Sequence, residues 1–241
     1  MKKFPKMELL SFFSIILGIA GMALHSWLLS LMDNRGLLPY NHPGSILPFV
    51  LFALLVAVCF YVLRDIRTSG SRRHMFPRSP LSAVGSFLAA VGLGFSLLNQ
   101  DSTGILSRLM YIVGLVSVFA LCYVGYCRFK GKRPECVVYA IIVLFLVFRT
   151  LAHCQRWNSE TQVSVYFFPL LAHLFLLLTV YFRAALEAHI KNCRQYMFFR
   201  QLTLFCCLVS MIGGDWVFYL AATVWMATDY CIPAFFGKYA T

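Results

Sequence analysis

The sequence predicts an all-α, polytopic integral membrane protein: a bundle of seven transmembrane helices, with the N-terminus inside and the C-terminus outside. Three observations lead there. Of 241 residues, 60% are hydrophobic and only 12% charged, against roughly 25% charged in a soluble domain; such a chain, folded in water, would expose apolar patches far beyond the few hundred Å² that monomers tolerate. Seven apolar runs approach the length of about 20 residues that a crossing needs. Lysine and arginine collect on alternate connections between those runs, as they do on cytoplasmic loops. The runs leave room for one transmembrane domain, 1–241, and no separate soluble one.

Taken in order, the chain opens with MKKFPKMELL. This has the charge of a signal peptide, but the apolar stretch behind it continues to Leu31, past the cleavable core of about 7–15 residues. An uncleaved first span near 9–31 is expected. Further spans follow near 46–63, 81–98, 105–126, 137–154, 162–182 and 202–226. In the third, Ser82, Ser86, Ala90 and Gly94 recur every fourth residue, a small-residue stripe against which another helix can pack closely. Proline interrupts the sixth at Pro169, and His173 lies four residues later on the same face; the expectation is that His173 helps satisfy the carbonyl that the proline frees. Segment 182–200 should prolong the sixth helix beyond the membrane, its basic residues touching anionic headgroups.

The seventh run, LTLFCCLVSMIGGDWVFYLAATVWMAT, carries one charge, Asp215, near its middle, directly after Gly213 and Gly214. A continuous helix using the glycines for close packing is expected. The alternative is a helix broken there, with Asp215 capping its second half, as in the discontinuous helices that present free backbone ends to solutes.

Charge sets the threading. Lys2, Lys3 and Lys6, then Arg64, Arg67, Arg72, Arg73 and Arg78, then Arg128, Lys130, Lys132 and Arg133, then Arg183, Lys191, Arg194 and Arg200 occupy one set of alternating segments. The other set holds Arg35, Arg108, Arg156 and Lys238. The net charge of +12 is thus spread over short connections, unlike the single basic face of a nucleic-acid binder. Nine cysteines, several inside apolar runs, form no framework; Cys154 and Cys231 are the pair that could meet on an oxidising side.

Intramembrane ionisable residues are costly, face the protein interior and are functional candidates by default. Those considered are Asp215, Arg149, His173 and His25. At 1.5 Å per residue, Asp215 and Arg149 lie at matching depths, about 20 Å from one face, and could form an ion pair. That pair has two readings: a structural tie between helices, or a site where the acid takes a proton or cation, or the arginine an anion. No metal-ligand spacing, nucleophile elbow or nucleotide-binding glycine loop is present, so neither metal nor cofactor is expected, and catalysis is not the leading expectation. No lysine lies in any span, which excludes a retinal Schiff base. The leading functional expectation is a small-solute or ion transporter with a polar site around Asp215, Arg149 and His173, and with Gly213, Gly214 and Pro169 as helix-break positions. The alternatives are a non-catalytic sensor or partner subunit and an intramembrane lipid-modifying enzyme. Expected partners are membrane lipids, a small solute or ion, and a helix packed on the third span; nucleic acid is not one. The compact loops suggest a bacterial inner or plasma membrane.

Overall fold

The computed structural model describes residues 5–31, 46–64, 79–99, 105–157, 163–188, 193–212 and 215–229. These residues form eight helices and no strand: α1 (Pro5–Ser30), α2 (Leu47–Arg64), α3 (Pro80–Leu98), α4 (Ile105–Lys130), α5 (Cys136–Trp157), α6 (Val163–Glu187), α7 (Cys193–Ser210) and α8 (Trp216–Thr228). Each of α1 to α6 contains a stretch long and apolar enough to cross a membrane. The architecture is that of a multi-pass, membrane-like helical protein.

Local chemistry sets several helix ends. Ser79 caps α3, its side chain accepting from the Ser82 amide at 3.3 Å, and Pro80 takes the first helical position, where a missing N–H costs nothing. At the end of α4 the chain turns through Gly131, φ 67°, while the Lys132 amide donates to the Cys127 carbonyl at 2.8 Å. This is a left-handed cap of the kind glycine favours.

The helices alternate in direction. Ser11 of α1 lies beside Gln201 of α7, and Gly18 packs on Leu208, so α1 and α7 run parallel. Thr179 of α6 meets Thr203 of α7, and Phe182 meets Phe199, so those two are antiparallel. The ends of α2, α4 and α6 and the starts of α1, α3, α5 and α7 share one end of the bundle. Arg64, Arg128, Lys130, Lys132, Arg133, Arg183, Arg194 and Arg200 lie there; it is called the basic end below.

The seventh run departs from the expectation. It is not one crossing but two antiparallel helices, since α7 stops at Ser210, α8 starts at Trp216 and the chain reverses between them. The Tyr196 hydroxyl near the start of α7 bonds Asp229 at the end of α8, and Arg200 bonds the carbonyls of Met226 and Ala227. Asp229 therefore sits at the basic end, with the start of α1. Cys154 carries no disulfide; it lies at the opposite end from Asp229, and Cys231 is outside the described residues. A run of about 25 apolar residues satisfies the length rule for one crossing, but α7 begins nine residues earlier than composition suggests.

That early start is tolerated because protein, not lipid, surrounds α7. Every residue from Arg200 to Ser210 is buried, with α6, α1, α8 and α2 packed around the helix. Two of its polar side chains find partners there: Gln201 Nε2 donates to Ser11 Oγ at 3.0 Å, and Thr203 meets Thr179 at 2.9 Å.

Helix α3 is inverted relative to a soluble amphipathic helix. Leu81, Val84, Leu88, Val91, Phe95 and Leu98 are exposed along one side, while Ser82, Ser86 and Ala90 are buried on the other. The small-residue side of α3 packs on α8 and α4. An added Cβ at Gly92 would lie 2.6 Å from the Ala221 Cβ of α8, and one at Gly85 would collide with Thr228, whereas Gly94 faces Val118 of α4 with room to spare at 4.0 Å.

Candidate functional site

Arg149 stands on α5, thirteen residues beyond its start, and its side chain is 0% exposed. Burial of an ionised guanidinium is unfavourable by several kcal/mol unless its donors and charge are matched, and residues from three other elements match it. Arg149 Nη2 donates to Asp215 Oδ2 at 2.9 Å and to Ser96 Oγ of α3 at 3.3 Å, and Nε donates to His173 Nε2 of α6 at 3.3 Å. The guanidinium carbon also lies 3.8 Å from the centroid of the Phe218 ring on α8, a cation–π arrangement. The His173 ring stacks on the same phenyl group, centroids 5.4 Å apart at 12°.

These bonds determine the His173 tautomer. Its Nδ1 faces the Pro169 carbonyl at 2.8 Å, which can only accept, so Nδ1 carries the proton; Arg149 can only donate, so Nε2 offers a lone pair. Neutral imidazole protonated at Nδ1 satisfies both. The carbonyl it holds is that of Pro169 itself, not the one four residues earlier that the proline frees, so the expected repair role is replaced by one in the arginine network.

Asp215 occupies the cap position of α8, yet its side chain makes no capping bond, contrary to the capped-break alternative. The carboxylate is instead drawn to Arg149 and to His153, whose Nε2 is 3.3 Å from the same oxygen. It keeps 39% side-chain exposure. One fully buried cation is thus held by an acid with an open face. An acid with an exposed face can take up a proton while the arginine it holds stays buried.

The candidates are therefore divided. Arg149, Asp215 and His173 come together in the half of the bundle away from the basic end, eight residues short of the end of α5 at Trp157. His25 is buried on α1, its ring edge-on to Phe168 at 6.2 Å, and no hydrogen bond joins it to the other three among the described residues. Pro169 lies within a continuous α6; Gly213 and Gly214 fall outside the described residues. Sequence reasoning missed His153 and Ser96. His153 could have been found, since it follows Arg149 by one helical turn on the same face.

It also missed a second polar cluster, at the basic end. Asp229 Oδ1 lies 3.0 Å from Arg128 Nη2 and accepts from Ser82 Oγ at 3.2 Å; Oδ2 accepts from the Tyr196 hydroxyl at 2.8 Å and lies 3.2 Å from Arg183 Nε. Arg183 also pairs with Glu187 at 2.8 Å. Arg183 and Arg200, read from the sequence as touching lipid headgroups, and Arg128, read as a loop cation, are in fact buried within α6, α7 and α4. The ring of Tyr139 lies against Arg183, and its buried hydroxyl has no hydrogen bond among the described residues. No group of three or more His, Cys, Asp or Glu residues that could hold a metal ion occurs among the described residues.

No protein-family model, no curated protein and no solved structure matches the chain.

Proposed function

We propose that the chain is a small transporter or permease-like protein of a bacterial plasma membrane, with its basic end in the cytoplasm and its solute-binding or proton-coupling site at Arg149, Asp215 and His173. His153 and Ser96 belong to the same site. The observation that carries this reading is the unequal burial of the ion pair, 0% for Arg149 and 39% for Asp215. The exposed face leaves the carboxylate able to meet a proton or a solute while Arg149 stays buried, which a pair sealed on both sides would not allow. Small anions, carboxylates above all, suit a guanidinium whose resident partner is a carboxylate. His153 beside Asp215 offers a second group for a coupled proton.

The test is flux. Purified protein in liposomes carrying a pH-sensitive dye should move protons or anions down imposed gradients of acetate, chloride or phosphate. Asp215→Asn and Arg149→Gln should each lower that flux at least tenfold while the protein still elutes as one species. Flux that is absent under every gradient, or unchanged in Asp215→Asn, would rule the reading out.

A further inference from the structure

Helix α8 has a carboxylate at each end, Asp215 and Asp229, fourteen residues apart and therefore about 21 Å along the axis. Both are held by arginines of the surrounding wall: Arg149 at one end, Arg128 and Arg183 at the other. The two ends are not equivalent. The Asp215 side chain is 39% exposed and that of Asp229 is 6% exposed. At the basic end one carboxylate gathers groups from α3, α4, α6 and α7, and Arg200 of α7 holds the last carbonyls of α8 at 2.7 and 3.3 Å, a favourable place for a cation. Asp215 thus keeps an exposed face, whereas Asp229 is sealed among its partners.

We infer that the Asp229 cluster is the closure on the basic side of the path to Asp215, and that it must part for the site to be reached from that side. This deepens the transporter reading and rests on it. Parting would have to lift Thr228 from the notch at Gly85 of α3, beside the cluster, while the close contact of Ala221 with Gly92 lies further along α8. Charge favours it: Arg128 and Arg183, once parted from Asp229, offer an arriving anion the same chemistry that Arg149 offers beside Asp215.

Ala222 is the reporter position. It is buried on α8, seven residues from each carboxylate and so on their shared face. The thiol introduced by Ala222→Cys should resist a membrane-impermeant thiosulfonate added from the basic side. Native Cys136, exposed at the basic end, and Cys154, exposed at the other, show by peptide mapping which side the reagent reached. With Asp229→Asn added, the introduced thiol should react from the basic side at least tenfold faster. With Tyr196→Phe, which removes one donor and no charge, the rate should rise by a smaller factor. Asp215→Asn should leave that side closed.

If Asp229→Asn and Tyr196→Phe both leave the introduced thiol unreactive, or if Asp215→Asn opens the basic side equally, the cluster is ordinary packing and the inference fails. Should Asp229→Asn fail to fold, Tyr196→Phe alone decides by the same criterion. Sidedness needs no flux, so the two ideas separate. Opening without any anion or proton flux would overturn transport and leave the closure, whereas flux without a change in sidedness would overturn only the closure.

Discussion

At the scale of single residues, burial decides what each charge costs. Asp215→Asn leaves the guanidinium of Arg149 in a fully buried position without its carboxylate; breaking a fully buried pair costs about 3–5 kcal/mol, and the 39% exposure of Asp215 lowers that figure here. Arg149→Gln leaves an acid that is still partly exposed and still beside His153. The asparagine variant should therefore melt lower than the glutamine variant. The double variant should be more stable than the sum of the two losses predicts, with a coupling of about 0.5–3 kcal/mol; strictly additive melting shifts would show that the pair is not coupled. Tyr139 presents the opposite case. Its hydroxyl is a buried donor with no acceptor among the described residues, a situation that costs about 1–3 kcal/mol. Tyr139→Phe should accordingly raise the thermal midpoint or leave it unchanged, and a marked fall would mean the hydroxyl is matched.

At the scale of elements, the contact between α3 and α8 depends on missing side chains. A methyl group at Gly92 meets the Ala221 Cβ at 2.6 Å, and neither partner has a rotamer through which to yield. Gly92→Ala should push α8 from its track and cost about 1–3 kcal/mol, the usual range for overpacking. Gly94→Ala, with its nearest neighbour at 4.0 Å, should be neutral or slightly stabilising, since alanine favours a helix over glycine by up to about 1 kcal/mol. Thermal melts of the two variants check this; equal losses would mean that α8 is not what the stripe accommodates. A second contact, of α8 with α7, explains the polar start of α7. Helix α8 covers Arg200 and Tyr196, so residues too polar for lipid can remain inside the bundle.

For the whole molecule, the reversal between α7 and α8 changes the count of passes. A single helix over 202–226 would put the start of α7 and the end of α8 on opposite sides. In the antiparallel arrangement, cysteines placed at Arg194 and Ala227 should react from the same side as native Cys136, and one at Trp216 from the side of Cys154. Labelling of Arg194→Cys and Ala227→Cys from opposite sides would restore the single crossing. The charge rule is compatible with the reversal because it concerns connections, and the connection between α7 and α8 contains no lysine or arginine to betray a turn.

Composition alone determined the membrane-like character, the extents of α1 to α6 to within a few residues and their alternation, because each depends on a local run of apolar residues and on the charges just beyond it. It also singled out Arg149 and Asp215, since opposite charges inside apolar runs have few ways to be satisfied. What only tertiary structure decided is which environment each polar group meets. Arginines at helix ends read the same from sequence whether they face headgroups or another helix, so the Asp229 cluster was invisible until α4, α6, α7 and α8 were brought together. The turn after Ser210 was hidden for a related reason: hydropathy counts residues along a line, whereas the reversal of α8 is stabilised by partners on α3 and α7 that are distant in sequence.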